Sequence, residues 1–416
     1  MLNRKVVAWA LYDWANSAFA LSVLAALFPL FFGAYWSAGE LESDVTSRLA
    51  TITAIANAVV AVAAPVLGVI ADAGGYRKRF LIMFATCGAV MTGALGLVGE
   101  GQWVLAAAFY VLASIGFQSS NSLYDSLLVD VTEPRYFNVV SSIGYSMGYL
   151  GGATLLALHA VMLMSPDRFG FAGTDSVFRF AFVSVGAWWA LFLAPLVMFV
   201  PEATGRVLAA KGIFKNAYRD LRQTVAHIGQ YRQATRFLVA YCIYLAGVYT
   251  VIVMAANYGT RLGFASTDLV KALMITNFAG FPATIAVGYL GQRIGAKQTI
   301  GIALLVYVAV SIWAVRLETI EQFFVMAIVV GCVQGGVQAL SRSLYATLIP
   351  NDKPGEFFGF YNLVTKVAYV IGPTVIAVIT MISTEPTMVI AGVLPLFVVG
   401  GLLLLRVTAP TAKAVS

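Results

Sequence analysis

Charge is what this chain lacks most. Only 11% of its 416 residues are Asp, Glu, Lys or Arg, against 60% that are hydrophobic. A soluble domain carries roughly 25% charged residues because its surface faces water, so a water-exposed globule is excluded. Histidine is confined to His159 and His227, and cysteine to Cys87, Cys242 and Cys332, each cysteine inside an apolar run. An odd number of cysteines in such runs gives no disulfide framework, and neither residue type shows a metal-ligand spacing. No metal and no cofactor are therefore expected. The chain also has no Gly-x-x-x-x-Gly-Lys-Ser/Thr loop, so it carries no visible machinery for ATP hydrolysis. Its net charge of +7 comes without a basic stripe interleaved with aromatics, which argues against nucleic acid as a partner.

What is abundant is apolar sequence in runs of about 20 residues, the length that crosses roughly 30 Å of hydrocarbon. Lipid is then the expected partner over most of the surface. Spans are predicted near 6–33, 50–71, 80–98, 103–129, 136–163, 178–200, 236–256, 269–290, 298–315, 321–347, 357–382 and 387–406. Arg4 and Lys5 ahead of an apolar stretch imitate a signal peptide, but that stretch continues to about Phe32 and contains Asp13 and Asn16, so it reads as a retained helix. Basic residues fall nineteen to one side of the spans and six to the other, with Lys366 inside a span. The positive-inside rule then puts both termini and the central loop in the cytoplasm, which an even number of helices requires. Between the halves, Phe214, Tyr218, Leu221 and Val225 recur at helical spacing around Lys215, Arg219 and Arg222. This pattern suits an amphipathic helix on the membrane face. The expected organisation is a six-helix bundle over 1–200, a cytoplasmic linker over 201–235 and a second six-helix bundle over 236–416.

The two halves match in register. Ser122-Leu123-Tyr124 corresponds to Ser343-Leu344-Tyr345 at an offset of 221, which also pairs Leu150-Gly151 with Ile371-Gly372. At an offset of 220, Gly68, Asp72, Gly75 and Arg77 face Gly288, Gln292, Gly295 and Lys297. Six helices plus six in a parallel repeat is the construction of major facilitator transporters. The stretch Gly68 to Arg79 resembles the loop signature between the second and third helices of that superfamily, with Ala73 and Tyr76 where basic residues are usual. The resemblance implies gate roles for Asp72 and Arg77. Physically, a carboxylate there would be stabilised by a neighbouring helix N-terminus. Two further stretches, Leu11 to Phe19 (LYDWANSAF) and Gln334 to Ser343 (QGGVQALSRS) continuing to Glu356–Tyr361 (EFFGFY), are similar to one branch of the superfamily. That branch contains fungal vacuolar effluxers of amino acids linked to autophagy, and bacterial relatives. In the seventh helix Leu245 and Ala246 depart from the polar residues common in the branch. The short loops point to a bacterial plasma (inner) membrane rather than a vacuole.

Charges within hydrocarbon cost a few kcal/mol each and need a partner or a function. Asp13, Asp125 and Lys366 are such charges, and Arg342 lies near the end of the tenth helix. Each sits in a polar row at helical spacing: Asp13, Asn16 and Ser17; Gln118, Asn121 and Asp125; Gln334, Gln338 and Arg342; Asn362, Lys366 and Tyr369. In lipid these rows must turn inward, toward a shared polar cavity. Asp13 reads either as a proton-coupling carboxylate or as a structural partner of Lys366 or a packing anchor. Arg342 reads as a fork for a substrate carboxylate or as a gate, its place at the helix end favouring the gate. Lys366 reads as an anion contact or a structural pair. Tyr241, Tyr244 and Tyr249 line the cavity or pack. Gly144, Gly148, Gly151 and Gly152 allow close helix approach, and His159 is expected at the outer interface.

The expected fold is therefore all-α, about twelve transmembrane helices in two six-helix bundles related by a parallel repeat. The expected function is secondary transport of a small solute by alternating access, with protons as a candidate coupling ion. By resemblance the solute is an amino acid or similar zwitterion, and export is the implied direction. A monomer is expected. The alternatives are a sensor or scaffold with a transporter fold, against which the buried charges speak, and a membrane enzyme, for which no metal cluster or nucleophile–histidine pair is visible.

Overall fold

The computed structural model describes residues 2–202, 219, 228–382 and 392–408. Its long helices are α1 (Arg4–Trp36), α2 (Glu42–Gly74), α3 (Arg77–Leu95), α4 (Trp103–Ser126), α5 (Phe137–Met164), α6 (Thr174–Phe199), α7 (Arg232–Arg261), α8 (Ser266–Ile294), α9 (Ala296–Ala314), α10 (Ile320–Leu348), α11 (Pro354–Ile382) and α12 (Leu394–Leu405). Eleven of these are long and apolar enough to cross a membrane. The predicted twelfth span is described only from its later part, as the shorter apolar helix α12. Most of the predicted amphipathic linker, including Phe214, Tyr218, Leu221 and Val225, lies outside the described residues.

The helices generally overrun the predicted spans. α2 begins at Glu42 rather than near 50 and α7 continues to Arg261. Hydropathy marks only the apolar stretch of a helix, whereas backbone hydrogen bonding continues past it through polar residues such as Glu42, Asp44 and Arg48. Local chemistry sets several ends. Asn3 caps α1 by accepting from the Val6 amide at 3.0 Å, and Thr319 with Gln322 forms a capping box on α10. α2 stops at Gly75 (φ 66°) and α8 at Gly295 (φ 100°), two glycines related by the repeat, where a side chain would be strained. One feature was not predicted: α1 is π-helical over Phe19–Leu27 and again over Phe32–Trp36.

Packing repeats with the sequence. In the first half α1 packs on α5 and α6, α3 on α4 and α6, and α2 on α4. In the second, α7 packs on α11 and α12, α9 on α10 and α12, and α8 on α10. Each contact has its counterpart six helices later. The halves meet through α2 against α11 and α5 against α8, with α10 reaching α5 and α4 reaching α11. Large apolar side chains such as Val62, Leu158, Leu191, Leu305, Met381 and Leu402 stay exposed on the outside, as a lipid-facing surface requires.

The α5 glycine row packs against α1. A Cβ on Gly151 would lie 2.5 Å from the Trp14 carbonyl oxygen and 2.9 Å from its Cα, and one on Gly148 would lie 2.6 Å from Ser17 Oγ. Backbone cannot yield as a flexible side chain can, so Gly151→Val should push α1 from α5. Overpacking of this kind costs about 1–3 kcal/mol, which should lower the thermal unfolding midpoint in detergent; an unchanged midpoint would show the contact to be slack. His159 is fully buried and hydrogen-bonded to Ser184 of α6 at 2.8 Å, because α6 covers that face of α5.

Candidate functional site

A cavity of about 2110 Å³ lies between the halves. Asp13 and Asn16 of α1 and Gln118, Asn121 and Asp125 of α4 line it from one side. Gln334, Gln338 and Arg342 of α10 and Lys366 of α11 line it from the other. The four polar rows thus converge on one space. Its lining continues to Phe28, Thr46, Tyr258 and Arg261, near the ends of α1, α2 and α7 remote from Arg77 and Lys353. The cavity therefore opens at that far end. It is closed at the other, the basic end, where Arg77–Arg79, Arg293, Lys297 and Lys353 lie.

Arg342 forms the floor. It is 1% exposed, although six residues of α10 follow it. Its Nη1 donates to Asp125 Oδ1 at 2.9 Å, its Nε to Ser141 Oγ at 2.9 Å, and its Nη2 to the Ser141 carbonyl at 2.9 Å. The guanidinium also lies 4.8 Å from the ring of Trp9, 5.3 Å from that of Tyr124 and 4.4 Å from that of Tyr145. An arginine so held joins α10 to α4 and α5 across the interface, and each of its nitrogens is already engaged. Asn362 donates weakly to Asp125 Oδ2 at 3.5 Å, adding α11 to the cluster.

Asp13 sits above this floor. Tyr124 donates to its Oδ2 at 3.2 Å, and Arg342 Nη1 is 3.9 Å from the same oxygen. Its nearest cation is thus Arg342, and the alternative pairing with Lys366 does not occur. The long Arg342 side chain reaches across from α10 to Asp13 and the Trp9 ring of α1. Asn16 donates to Asn121 Oδ1 at 2.7 Å, tying α1 to α4, and Gln334 donates to the Tyr149 hydroxyl at 3.0 Å, tying α10 to α5. Gln118 Oε1 is buried with no hydrogen-bond partner among the described residues. Tyr241 and Tyr249 line the cavity and stack on Tyr361 and Tyr369, while Tyr244 is buried against Ser341 at 2.6 Å.

Asp72 and Arg77 lie outside the cavity, in the closed end. Asp72 accepts from the amides of Gly355 (2.9 Å) and Glu356 (2.7 Å), so a carboxylate on α2 caps the N-terminus of α11 in the other half. Arg77 Nε is 3.4 Å from Asp72, and its Nη1 is 2.8 Å from Asp130. Asp130 escaped the sequence reading because it follows the α4 span in a short separate helix, Leu128–Val131. Burial pushes its carboxyl above the ordinary range, with Arg77 opposing. Glu202 accepts from the Lys78 amide at 2.9 Å and lies 3.5 Å from Arg79. At the repeat-related contact, Asn138 donates to the Gly291 carbonyl at 3.0 Å and Gln292 to the Arg135 carbonyl at 2.6 Å. Asn138, Ser141 and Asp130 carried no periodic signal that would have marked them. Among the described residues no cluster of His, Cys, Asp or Glu is placed to hold a metal.

The chain is similar to known proteins along nearly all its length. A family model described as "Vacuole effluxer Atg22 like" matches residues 34–135 and 129–415. The uncharacterized MFS-type transporter YxiO of Bacillus subtilis (strain 168) is 35% identical over 410 residues, covering 98% of this chain and 96% of that one. Autophagy-related protein 22 of Eremothecium gossypii is 22% identical, over 91% of this chain and 85% of the relative. The fold matches the human organic anion transporter MFSD10 with a TM-score of 0.72 at 15% identity, over 96% and 99% of the two chains. At that identity the likeness is one of fold. Taken with the paired six-helix packing and the central cavity, these matches make the chain an integral membrane transporter of the major facilitator type, and it belongs to the vacuole effluxer Atg22-like family of that superfamily.

Proposed function

We propose that this protein is a secondary active transporter that moves an amino acid or a similar zwitterionic metabolite by alternating access, coupled to protons at Asp13. The observation that carries the reading is the convergence of Asp13, Asn16, Gln118, Asn121, Asp125, Gln334, Gln338 and Lys366 on one cavity open at a single end. A site reached from one side only, with polar groups from both halves on its walls, is what a rocking pair of bundles needs. The moving bodies are residues 1–200 and 236–416, joined by 201–235. Asp72, Arg77 and Arg342 act as the gate that holds the basic end shut. Opening that end requires the α2–α11 cap and the Arg342–Asp125 pair to part.

The basic end faces the cytoplasm of a bacterial inner membrane, with both termini inside, by the excess of Lys and Arg in its loops. The cavity then faces outward in this state. The resemblance implied export. Efflux from a vacuole delivers solute to the cytoplasm, however, and the same orientation in a plasma membrane gives inward movement. With Asp13 loading a proton in the outward-open state, the coupling is symport.

Asp13→Asn keeps the side chain's size but removes its proton. In proteoliposomes the parent chain should accumulate a neutral amino acid under an imposed gradient, up to about tenfold per pH unit for one coupled proton, since each unit is worth ~1.36 kcal/mol. The variant should lose this accumulation while retaining exchange. Undiminished pH-driven accumulation by Asp13→Asn would remove Asp13 from the coupling. Binding without counterflow under any gradient would favour the sensor.

A further inference from the structure

We propose that Lys366 is the docking point for the carboxylate of the solute, and that Arg342, the more obvious cation, takes no part in holding it. The inference rests on the transport reading and deepens it. Among the described residues three cations line the cavity: Arg261, Arg342 and Lys366. Arg261 is exposed at the last residue of α7, at the mouth. Arg342 is buried and bound through all three nitrogens to Asp125 and Ser141, with aromatic rings around its plane. A ligand could reach it only by breaking contacts that join the halves.

Lys366 differs in every respect. It stands near the middle of α11, half-buried on the cavity wall. Among the described residues no carboxylate lies within 4.0 Å of its ammonium, and Nζ makes no hydrogen bond. Its close partner among the described residues is the ring of Tyr369, whose centroid is 5.3 Å from Nζ. An ammonium at this depth without a counter-ion is costly, and an anion supplied by the solute relieves that cost.

The surroundings define the rest of the ligand. Tyr369 stacks on Tyr249 with centroids 3.9 Å apart, making a flat wall from α11 and α7 beside the ammonium. Such a wall suits an apolar or aromatic body next to the carboxylate. The acidic groups of the lining, Asp13 and Asp125, belong to the other half. A zwitterion would therefore be held with its carboxylate on the C-terminal half and its amino group toward the N-terminal half, bridging the bodies that move. Lysine is a compact point charge with three rotatable donors, so the site selects for a negative group more than for its geometry.

The test uses the full chain in detergent and two small probes: phenylacetate and its uncharged amide phenylacetamide. Binding is read by quenching of tryptophan fluorescence. The parent chain should bind phenylacetate about tenfold or more tightly than phenylacetamide, the size of one charge-assisted hydrogen bond. Lys366→Met should erase that preference without altering phenylacetamide affinity, and Lys366→Arg should keep it. A parent chain with no preference for the carboxylate, or a Lys366→Met variant that retains it, would overturn the assignment. On the unsubstituted chain, acylation of Lys366 by an amine-reactive ester, followed by peptide mass spectrometry, should slow severalfold with phenylacetate but not with phenylacetamide. Equal rates would also refute the site. Counterflow of neutral amino acids by the parent chain reads transport separately. Lost carboxylate preference in Lys366→Met beside absent counterflow in the parent would sink the transport reading and leave the anion site standing.

Discussion

Arg342→Met should abolish solute exchange and destabilise the protein by about 3–5 kcal/mol, the cost of stripping one partner from a buried ion pair. The size follows from what remains. Asp125 loses the donor at 2.9 Å and Asp13 its nearest cation, while the Ser141 carbonyl and hydroxyl lose theirs. The thermal midpoint and counterflow in proteoliposomes give the two readouts. Arg342→Lys should recover only part of either, because an ammonium cannot span Asp125 and the two Ser141 oxygens together. The informative control is Arg342→Met combined with Asp125→Leu. An apolar pair replacing a buried ion pair is often neutral or better for stability, so the midpoint should largely return while exchange does not. Recovery of both would make the pair a structural fixture with no part in the cycle.

The second large effect is expected at Asp72. Its two oxygens take the Gly355 and Glu356 amides at the start of α11, and Arg77 stands beside it. Asp72→Asn removes the negative charge from the helix N-terminus and turns one acceptor into a donor facing an amide. Hydrogen bonds to charged groups are worth about 1.5–3 kcal/mol, so the population open at the far end should fall roughly ten- to a hundredfold relative to its alternative. Spin labels on Leu41→Cys and Arg261→Cys, in a background with Cys87, Cys242 and Cys332 changed to alanine, read the width of the far end. Asp72→Asn should shorten that distance distribution. An unchanged distribution would mean that the α2–α11 cap is not what holds this state. Gln292, the repeat counterpart of Asp72, contacts a carbonyl rather than helix amides. Gln292→Ala should accordingly shift the distribution far less, which makes the closure of the basic end asymmetric despite the repeat.

Much of the fold was legible in the sequence because hydrocarbon is a harsh solvent. A backbone in lipid must satisfy its own hydrogen bonds, so apolar runs of sufficient length could hardly be anything but helices. Register between Ser122–Tyr124 and Ser343–Tyr345, and between Gly75 and Gly295, was enough to expose the parallel repeat. The same physics made the cavity readable: rows such as Gln118, Asn121 and Asp125 cannot face lipid and so had to face one another. Most of the linker and the start of the twelfth span lie outside the described residues.

The sequence by itself determined the solvent, the helices, the repeat and the inward direction of the polar rows, since each follows from local composition and a fixed helical period. Only the tertiary structure decided which charge meets which: Arg342 rather than Lys366 lies nearest Asp13, Asp130 joins Arg77, and His159 is buried. It also decided which end of the cavity is open. These depend on the depth and rotation of helices far apart in the chain, quantities that close approaches such as those of Gly148 and Gly151 to α1 set through packing and that no periodicity along one helix encodes.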